Sequence, residues 1–94
     1  MTVSTLKVMQ QVMAEIDRAR DKFPSPECSM TALTEEVGEL ATALMDEQPA
    51  RVIEEAVQVA VMAIRIATEG DPTINPYRQR HGLPAFPEVS IDGE

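Results

Sequence analysis

The sequence predicts an all-α fold: three main helices plus a Pro-rich C-terminal tail, in a helical bundle completed by oligomerisation. Three observations lead to this fold class. Two segments repeat apolar residues at the spacing of one helix face, a third is apolar on nearly every side, and four prolines interrupt the last quarter. The 94 residues suit a single domain, 1–94, with a helical core over 1–70 and an extended or partly disordered tail over 71–94.

The composition narrows the classes of partner that this protein can have. Acidic residues outnumber basic residues by 16 to 8, and the resulting net charge of -8 repels nucleic acid and anionic membranes. The single cysteine, Cys28, excludes an internal disulfide and a cysteine metal cluster. No apolar run reaches membrane-spanning length, and the N-terminus lacks a basic-then-apolar signal pattern. We therefore expect a cytoplasmic protein that binds neither nucleic acid nor membrane.

The first helix is predicted over residues 2–23. Thr2 or Ser4 can cap its start, and Pro24 prevents it from continuing. Charged residues cover one side of this segment, so the other side is expected to pack into the core. The predicted buried face contains Leu6, Met9, Val12, Met13, Ile16 and Ala19.

The second helix follows a rigid connector, "PSPECS", that contains two prolines. Ser29 or Thr31 offers an N-cap, and the helix is expected to end near Glu47. Its apolar residues again recur every three or four positions, which predicts one buried side. That side contains Leu33, Val37, Leu40 and Leu44.

The third helix, over residues 50–69, differs because "VIEEAVQVAVMAIRIA" is apolar nearly all round. Pro49 suits its first turn, and Gly70 suits its end. A helix of this kind is surrounded by other helices, and two short helices can hardly enclose it. We therefore expect an identical chain to supply the missing wall, in a dimer or a higher oligomer.

Three acidic residues of the second helix crowd around an interior glycine. Glu35, Glu36 and Glu39 fall within an arc of roughly 100° about the helix axis, beside Gly38. A solvated acidic face near the start of a helix, favoured by the helix dipole, is the simplest interpretation. However, an interior glycine costs about 1 kcal/mol relative to alanine, and it lets another backbone or a ligand approach.

The third helix carries its polar residues in one stripe, although the rest of the helix is built for burial. The stripe contains Glu54, Glu55, Gln58, Arg65 and Glu69. Buried carboxylates must be paired with cations or bind a metal. Arg65 can pair with one of them, but it cannot alone neutralise acids from both helices. Oxygen ligands of this kind suit Mg²⁺ or Mn²⁺, which also receive the phosphates of a nucleotide.

The segments "EEVGEL" and "EEAVQVAVMAIR" resemble the all-α nucleoside triphosphate pyrophosphohydrolases, the MazG-like group related to the dimeric dUTPases. The signature of that group is E-E-x-x-E on one helix and E-x-x-D on the next. Glu35, Glu36 and Glu39 match the first half, and Glu55 matches the second. Gln58 stands where the family has aspartate. The resemblance covers residues 22–71.

The resemblance implies a homodimer or homotetramer that uses Mg²⁺, with Mn²⁺ as a possible substitute. Its substrate would be a nucleoside triphosphate, split into the monophosphate and pyrophosphate. Glu36, Glu39, Glu55 and Gln58 would be the metal ligands. Glu35 would be the catalytic residue, as a further ligand or by positioning the attacking water.

The residues leave several alternatives open. Arg65 and Lys22 are the candidates for binding the substrate phosphates, although Arg65 can equally be a structural ion-pair partner. Because Gln58 brings no negative charge, the chain can also be a catalytically weak or inactive nucleotide-binding or regulatory module. A second alternative is a structural helical oligomeriser in which the acids form surface ion pairs.

Overall fold

The computed structural model describes residues 2–87, and this part of the chain is all-helical. The elements are α1 (Thr5–Lys22), α2 (Ser29–Asp46), α3 (Pro49–Glu69), a 3₁₀ helix (Pro72–Ile74) and α4 (Asn75–Arg80). The predicted all-α class is confirmed. None of the helices within residues 2–87 combines the length and the apolar character needed to cross a bilayer.

Helix α3 lies at the centre and packs against both α1 and α2. Over the described residues, the backbones of α1 and α2 do not pack closely against each other. The core between α1 and α3 consists of Val12, Ile16, Ala19, Val57 and Val61. A two-residue link joins α2 to α3, and these two helices run antiparallel.

The predicted buried faces of α1 and α2 are only partly buried, which corrects the expectation. Leu6, Met9 and Met13 are 65%, 57% and 67% exposed, while the neighbouring Ile16 lies in the core. In α2 the buried residues are Ser29 and Ala43, and Leu44 is 67% exposed. The physical reason is that each of these helices has one neighbour, α3, which covers a narrower arc than the apolar stripe.

Most of the predicted helix ends are confirmed. Ser4 caps α1, and its hydroxyl accepts a hydrogen bond from the Lys7 backbone N–H at 3.3 Å. Pro49 occupies the first turn of α3. Gly70 ends α3 with a φ of 72°, in the left-handed region where glycine is favoured.

The predicted N-cap of α2 is wrong, because the cap comes from a distant part of the chain. The Asp71 carboxylate accepts hydrogen bonds from the backbone N–H groups of Cys28, at 3.1 Å, and Met30, at 3.0 Å. Ser29 instead donates its hydroxyl to the Gly70 carbonyl, at 2.9 Å. Asp71 therefore fastens the start of α2 to the end of α3.

The pKa of Asp71 reflects the hydrogen bonds that its carboxylate accepts. Desolvation raises the pKa, but hydrogen bonds from Thr73, Met30 and Cys28 together outweigh it and leave the pKa below its ordinary value. The folded chain therefore stabilises the ionised form of the Asp71 carboxyl group.

Residues 72–80 are helical, although an extended arm was predicted there. Asp71 also accepts a hydrogen bond from the Thr73 N–H, which caps the 3₁₀ helix, and Pro76 fits the first turn of α4. The chain then returns towards α3, where the Phe86 carbonyl approaches Gly70 so closely that a Cβ would have no room. The part of the predicted tail over residues 88–94 lies outside the described residues.

Replacing Asp71 by alanine should destabilise the fold by about 1–2 kcal/mol, the usual cost of losing a helix N-cap. The loss arises because the N–H groups at the start of α2 lose their acceptor. Urea unfolding followed by circular dichroism measures the change. Asp17→Ala, at an exposed position of α1, is the control and should keep the stability of the unmodified chain. Equal stability of the two variants would contradict the capping role.

Candidate metal centre

Three carboxylates from two helices converge at one point. Glu36 and Glu39 lie one turn apart on α2, and Glu55 faces them from α3. One oxygen from each residue can be chosen so that all three lie within 4.8 Å of one another. We call Glu36, Glu39 and Glu55 the acidic cluster. The antiparallel packing of α2 on α3 brings together three of the four residues that the sequence predicted as metal ligands.

The acidic cluster extends from the surface into the interior, since Glu39 is exposed, Glu36 is half-buried and Glu55 is buried. Glu55 is only 5% exposed. The Oε2 atoms of Glu55 and Glu36 are both buried, and neither has a hydrogen-bond partner within the described part of the chain. A buried, unpartnered carboxylate oxygen is costly unless a cation or a proton is supplied.

The pKa of Glu36 reflects its partial burial next to two other carboxylates. Desolvation, the charge of Glu39 and the proximity of Glu55 raise the pKa of Glu36 to about 7. Without a bound cation, Glu36 therefore keeps its proton through weakly acidic conditions. A bound cation would take the place of this proton.

Glu35 and Gln58 lie close to the acidic cluster but outside it. Glu35 is exposed and lines a groove that also contains Glu36 and Gln58. Gln58 is half-buried, one turn beyond Glu55, and lines a second cavity together with that residue. The catalytic role of Glu35 and the ligand role of Gln58 stay predictions.

The groove beside the acidic cluster is about 740 Å³ in volume and lies between α1 and α2. Its walls include Ala19, Val61 and Met62, so it combines apolar surface with the Glu36 carboxylate. Lys22 lies at its rim, with Nζ 5.5 Å from the centre of the Phe23 ring. The proposed phosphate-binding role of Lys22 is compatible with this position and stays a prediction.

Arg65 is placed as a structural ion-pair partner. It is 4% exposed, and its Nε and Nη2 atoms donate to the two oxygens of Glu69, at 3.0 and 2.8 Å. Arg20 of α1 donates to the same carboxylate at 2.9 Å. The hydrogen bond from Arg65 is the main reason why the pKa of Glu69 is lowered. This geometry favours the ion-pair alternative for Arg65 over phosphate binding.

Sequence reasoning did not single out Arg51, which contacts the acidic cluster directly. Its Nη2 donates to Glu55 Oε1 at 2.7 Å, while Nη1 and Nε donate to Glu54 and Glu47. The spacing carried a usable signal, because residues four apart on a helix are neighbours. The spacing could not show that Glu55 is buried. The Arg51–Glu55 pair matters because a buried carboxylate needs a partner.

Gly38 has no close neighbour within the described chain. A Cβ added to this residue would meet nothing within 4 Å, and the glycine is exposed. It lines a cavity of about 640 Å³ together with Glu35, Glu39 and Arg51. The close approach that was expected of this glycine is therefore not made by another part of residues 2–87.

Comparison of the chain with family models, with curated proteins and with solved structures finds no match. Membership of the MazG-like group stays a prediction that rests on the quoted motifs. The residues and their geometry therefore carry the functional argument.

The metal-free protein should lose stability as the pH rises from about 4.5 to about 7. Glu36 has an ordinary pKa of 4.5 and a folded pKa of about 7, so the folded state binds the extra proton in this window. The free energy of unfolding must then fall with rising pH. Urea unfolding with a chelator present, at a series of pH values, measures this dependence.

Glu36→Gln should flatten the dependence over the same window, since it removes the titrating group. Glu27→Gln, at an exposed position of the connector, is the control and should leave the slope unchanged. A Glu36→Gln protein with the slope of the unmodified chain would show that another group is responsible.

Proposed function

We propose that this protein is a Mg²⁺-dependent nucleoside triphosphate pyrophosphohydrolase of the MazG-like group. The observation that carries the proposal is the acidic cluster: three carboxylates from two helices, with Glu55 buried and one of its oxygens unpartnered. The reaction would convert a nucleoside triphosphate, or its deoxy form, into the monophosphate and pyrophosphate.

The donor set fits a hard divalent cation. Carboxylate oxygens are the ligands that Mg²⁺ and Mn²⁺ prefer, and Mg²⁺ is usually bound by a few carboxylates, waters and substrate phosphates. Glu36, Glu39 and Glu55 would hold the ion, and the Gln58 carbonyl could add a neutral oxygen. The buried oxygens of Glu36 and Glu55 would gain the partner that they otherwise lack.

A bound ion of this kind polarises phosphoryl oxygens and lowers the pKa of a coordinated water. The residues of the chain supply positioning. Glu35, exposed beside the groove, can accept a hydrogen bond from a water and orient it for attack on the phosphorus. The groove between α1 and α2 can enclose the nucleoside, with Lys22 at its rim near the phosphates.

The first alternative is a nucleotide-binding or regulatory module that cleaves slowly or not at all. Gln58 motivates it, because this residue stands where the family has aspartate. The cluster then has one negative charge fewer than the family pattern, so metal binding should be weaker. Turnover distinguishes this alternative from the enzyme, since both bind nucleotide.

The second alternative is a structural oligomeriser without a ligand. The ion pairs of Arg51 with Glu55 and of Arg65 with Glu69 motivate it, because they neutralise part of the buried charge. It leaves unexplained the buried oxygens of Glu36 and Glu55.

We further propose that the bundle is completed by a second copy of the chain, as a homodimer or homotetramer. The exposed apolar residues of α1, Leu6, Met9 and Met13, share one side of the helix. A single copy leaves this side without a partner over the described residues. A second copy would cover it and enlarge a core that is small for a domain of this size.

The purified protein should release pyrophosphate from at least one nucleotide in a panel of NTPs and dNTPs with Mg²⁺ or Mn²⁺. Glu55→Gln should lower turnover roughly 100-fold or more, because the cation contributes several kcal/mol and each 1.36 kcal/mol is a factor of ten. Asp46→Asn, at an exposed position at the end of α2, is the matched control and should keep full activity.

The same panel, together with a titration that measures nucleotide binding, separates the alternatives. Nucleotide binding without pyrophosphate release would support the regulatory module. Neither binding nor release, with Glu55→Gln behaving like the control, would support the structural oligomeriser and would exclude the proposed enzyme.

Size-exclusion chromatography with light scattering should give a mass that is a multiple of 10.3 kDa, two or four times that of one chain. Met13→Glu should shift the mass towards a single chain, because it places a charge in the apolar contact. Lys7→Glu is the control, since Lys7 is also exposed but lies about 120° away around α1. A 10.3 kDa mass for the unmodified protein would exclude the oligomer.

A further inference from the structure

Arg51 is the cation that contacts the acidic cluster, and within residues 2–87 no other basic side chain pairs with a member of it. It lies in the first turn of α3, one turn before Glu55. Its Nη2 donates to Glu55 Oε1 at 2.7 Å, and its Nη1 donates to Glu54 Oε2 at 2.6 Å. A weaker contact of 3.3 Å joins Nε to Glu47.

The two oxygens of the Glu55 carboxylate have different surroundings. Oε1 is bound to Arg51, and Oε2 is buried without a partner in the described structure. Arg51 therefore binds one oxygen of a carboxylate that also lies close to Glu36 and Glu39. In a chain without a bound ion, Arg51 is the counter-ion that makes the burial of Glu55 tolerable.

Arg51 differs from Arg65 in how easily it can change partners. Its side chain is 49% exposed, whereas that of Arg65 is 5% exposed and bound to Glu69 through two nitrogens. Arg51 also lines the cavity that contains Gly38 and Glu39, so its guanidinium is within reach of a molecule bound there. A guanidinium binds phosphate oxygens in the same two-pronged geometry that it uses for carboxylates.

We propose that Arg51 exchanges Glu55 for a phosphate of the substrate when a divalent cation binds. The proposal rests on the proposed function. A cation on Glu36, Glu39 and Glu55 cancels two of their three negative charges, so the attraction that holds Arg51 to Glu55 falls. The triphosphate then offers Arg51 a more highly charged partner. Arg51 is thus a competitor of the cation in the free protein and a substrate-binding residue in the complex.

This exchange predicts effects of opposite sign from one substitution. Arg51→Gln removes the competitor of the cation, so Mn²⁺ alone should bind more tightly. The same substitution removes a phosphate ligand, so a triphosphate should bind less tightly. An arginine that only stabilises the fold would weaken both.

The experiment compares Arg51→Gln, Arg51→Lys and the control Lys7→Gln, which removes a positive charge at an exposed position of α1. Isothermal titration with Mn²⁺ alone measures cation affinity. Titration with inorganic triphosphate at saturating Mn²⁺ measures phosphate affinity without contributions from base or sugar. Steady-state kinetics with the best nucleotide of the panel gives KM and kcat separately.

Arg51→Gln should tighten Mn²⁺ binding about two- to fivefold, the range expected for a partly exposed ion pair. It should weaken triphosphate binding and raise KM roughly tenfold or more, since a charge-assisted hydrogen bond is lost. Arg51→Lys keeps the charge but loses the two-pronged geometry, so it should keep the Mn²⁺ affinity and raise KM. The control should match the unmodified protein in every measurement.

Weaker binding of both Mn²⁺ and triphosphate by Arg51→Gln would overturn the exchange and leave Arg51 as a residue that positions Glu55. Unchanged triphosphate affinity and KM would also overturn it, while the proposed function would stand. If the unmodified protein binds neither Mn²⁺ nor triphosphate, the proposed function and the exchange fail together. If Arg51→Gln does not fold, the Arg51→Lys variant tests the proposal instead. An unchanged KM of Arg51→Lys would contradict phosphate binding by Arg51.

Discussion

The burial of the Glu55 carboxylate is the constraint on which the site depends. Helix α3 is largely apolar because it forms the centre of the bundle. Glu55 is an acidic residue of this helix, and it is only 5% exposed. An ionised carboxylate in such a place needs partners for both oxygens. Arg51 supplies a partner for one, while the facing acids of α2 add further negative charge. A cation or a proton must therefore be supplied to this group of carboxylates.

The acidic cluster has a defined geometry because α2 and α3 are joined at both ends. A two-residue link connects them at one end. At the other end, the Asp71 carboxylate binds the backbone N–H groups of Cys28 and Met30. With both ends fixed, α2 cannot slide along α3, so Glu36 and Glu39 stay opposite Glu55. The cap thus contributes to the site although it lies about two turns of α2 from Glu36.

Arg65 and Arg51, both on α3, differ in how far they are exposed. Arg65 is buried and binds Glu69 through two nitrogens, and Arg20 of α1 reaches the same carboxylate. These ion pairs connect the C-terminal ends of α1 and α3. Arg51 is half-exposed and shared among several acids, so it loses less by changing partners. A buried ion pair and a half-exposed one therefore lie on the same helix.

Local patterns in the sequence determined the helices and the choice of acids. The spacing of apolar residues, Ser4, Pro49 and Gly70 gave the three long helices and most of their ends, because capping and periodicity act between near neighbours. Only the tertiary structure decided that Asp71 caps α2, that residues 72–80 are helical, and that Leu6 and Met13 are exposed in one chain. It also decided that Glu55 is buried and that Arg20 of α1 shares Glu69 with Arg65. Burial and contacts of this kind depend on distances between segments far apart in the chain, and the spacing of residues along a single helix does not contain them.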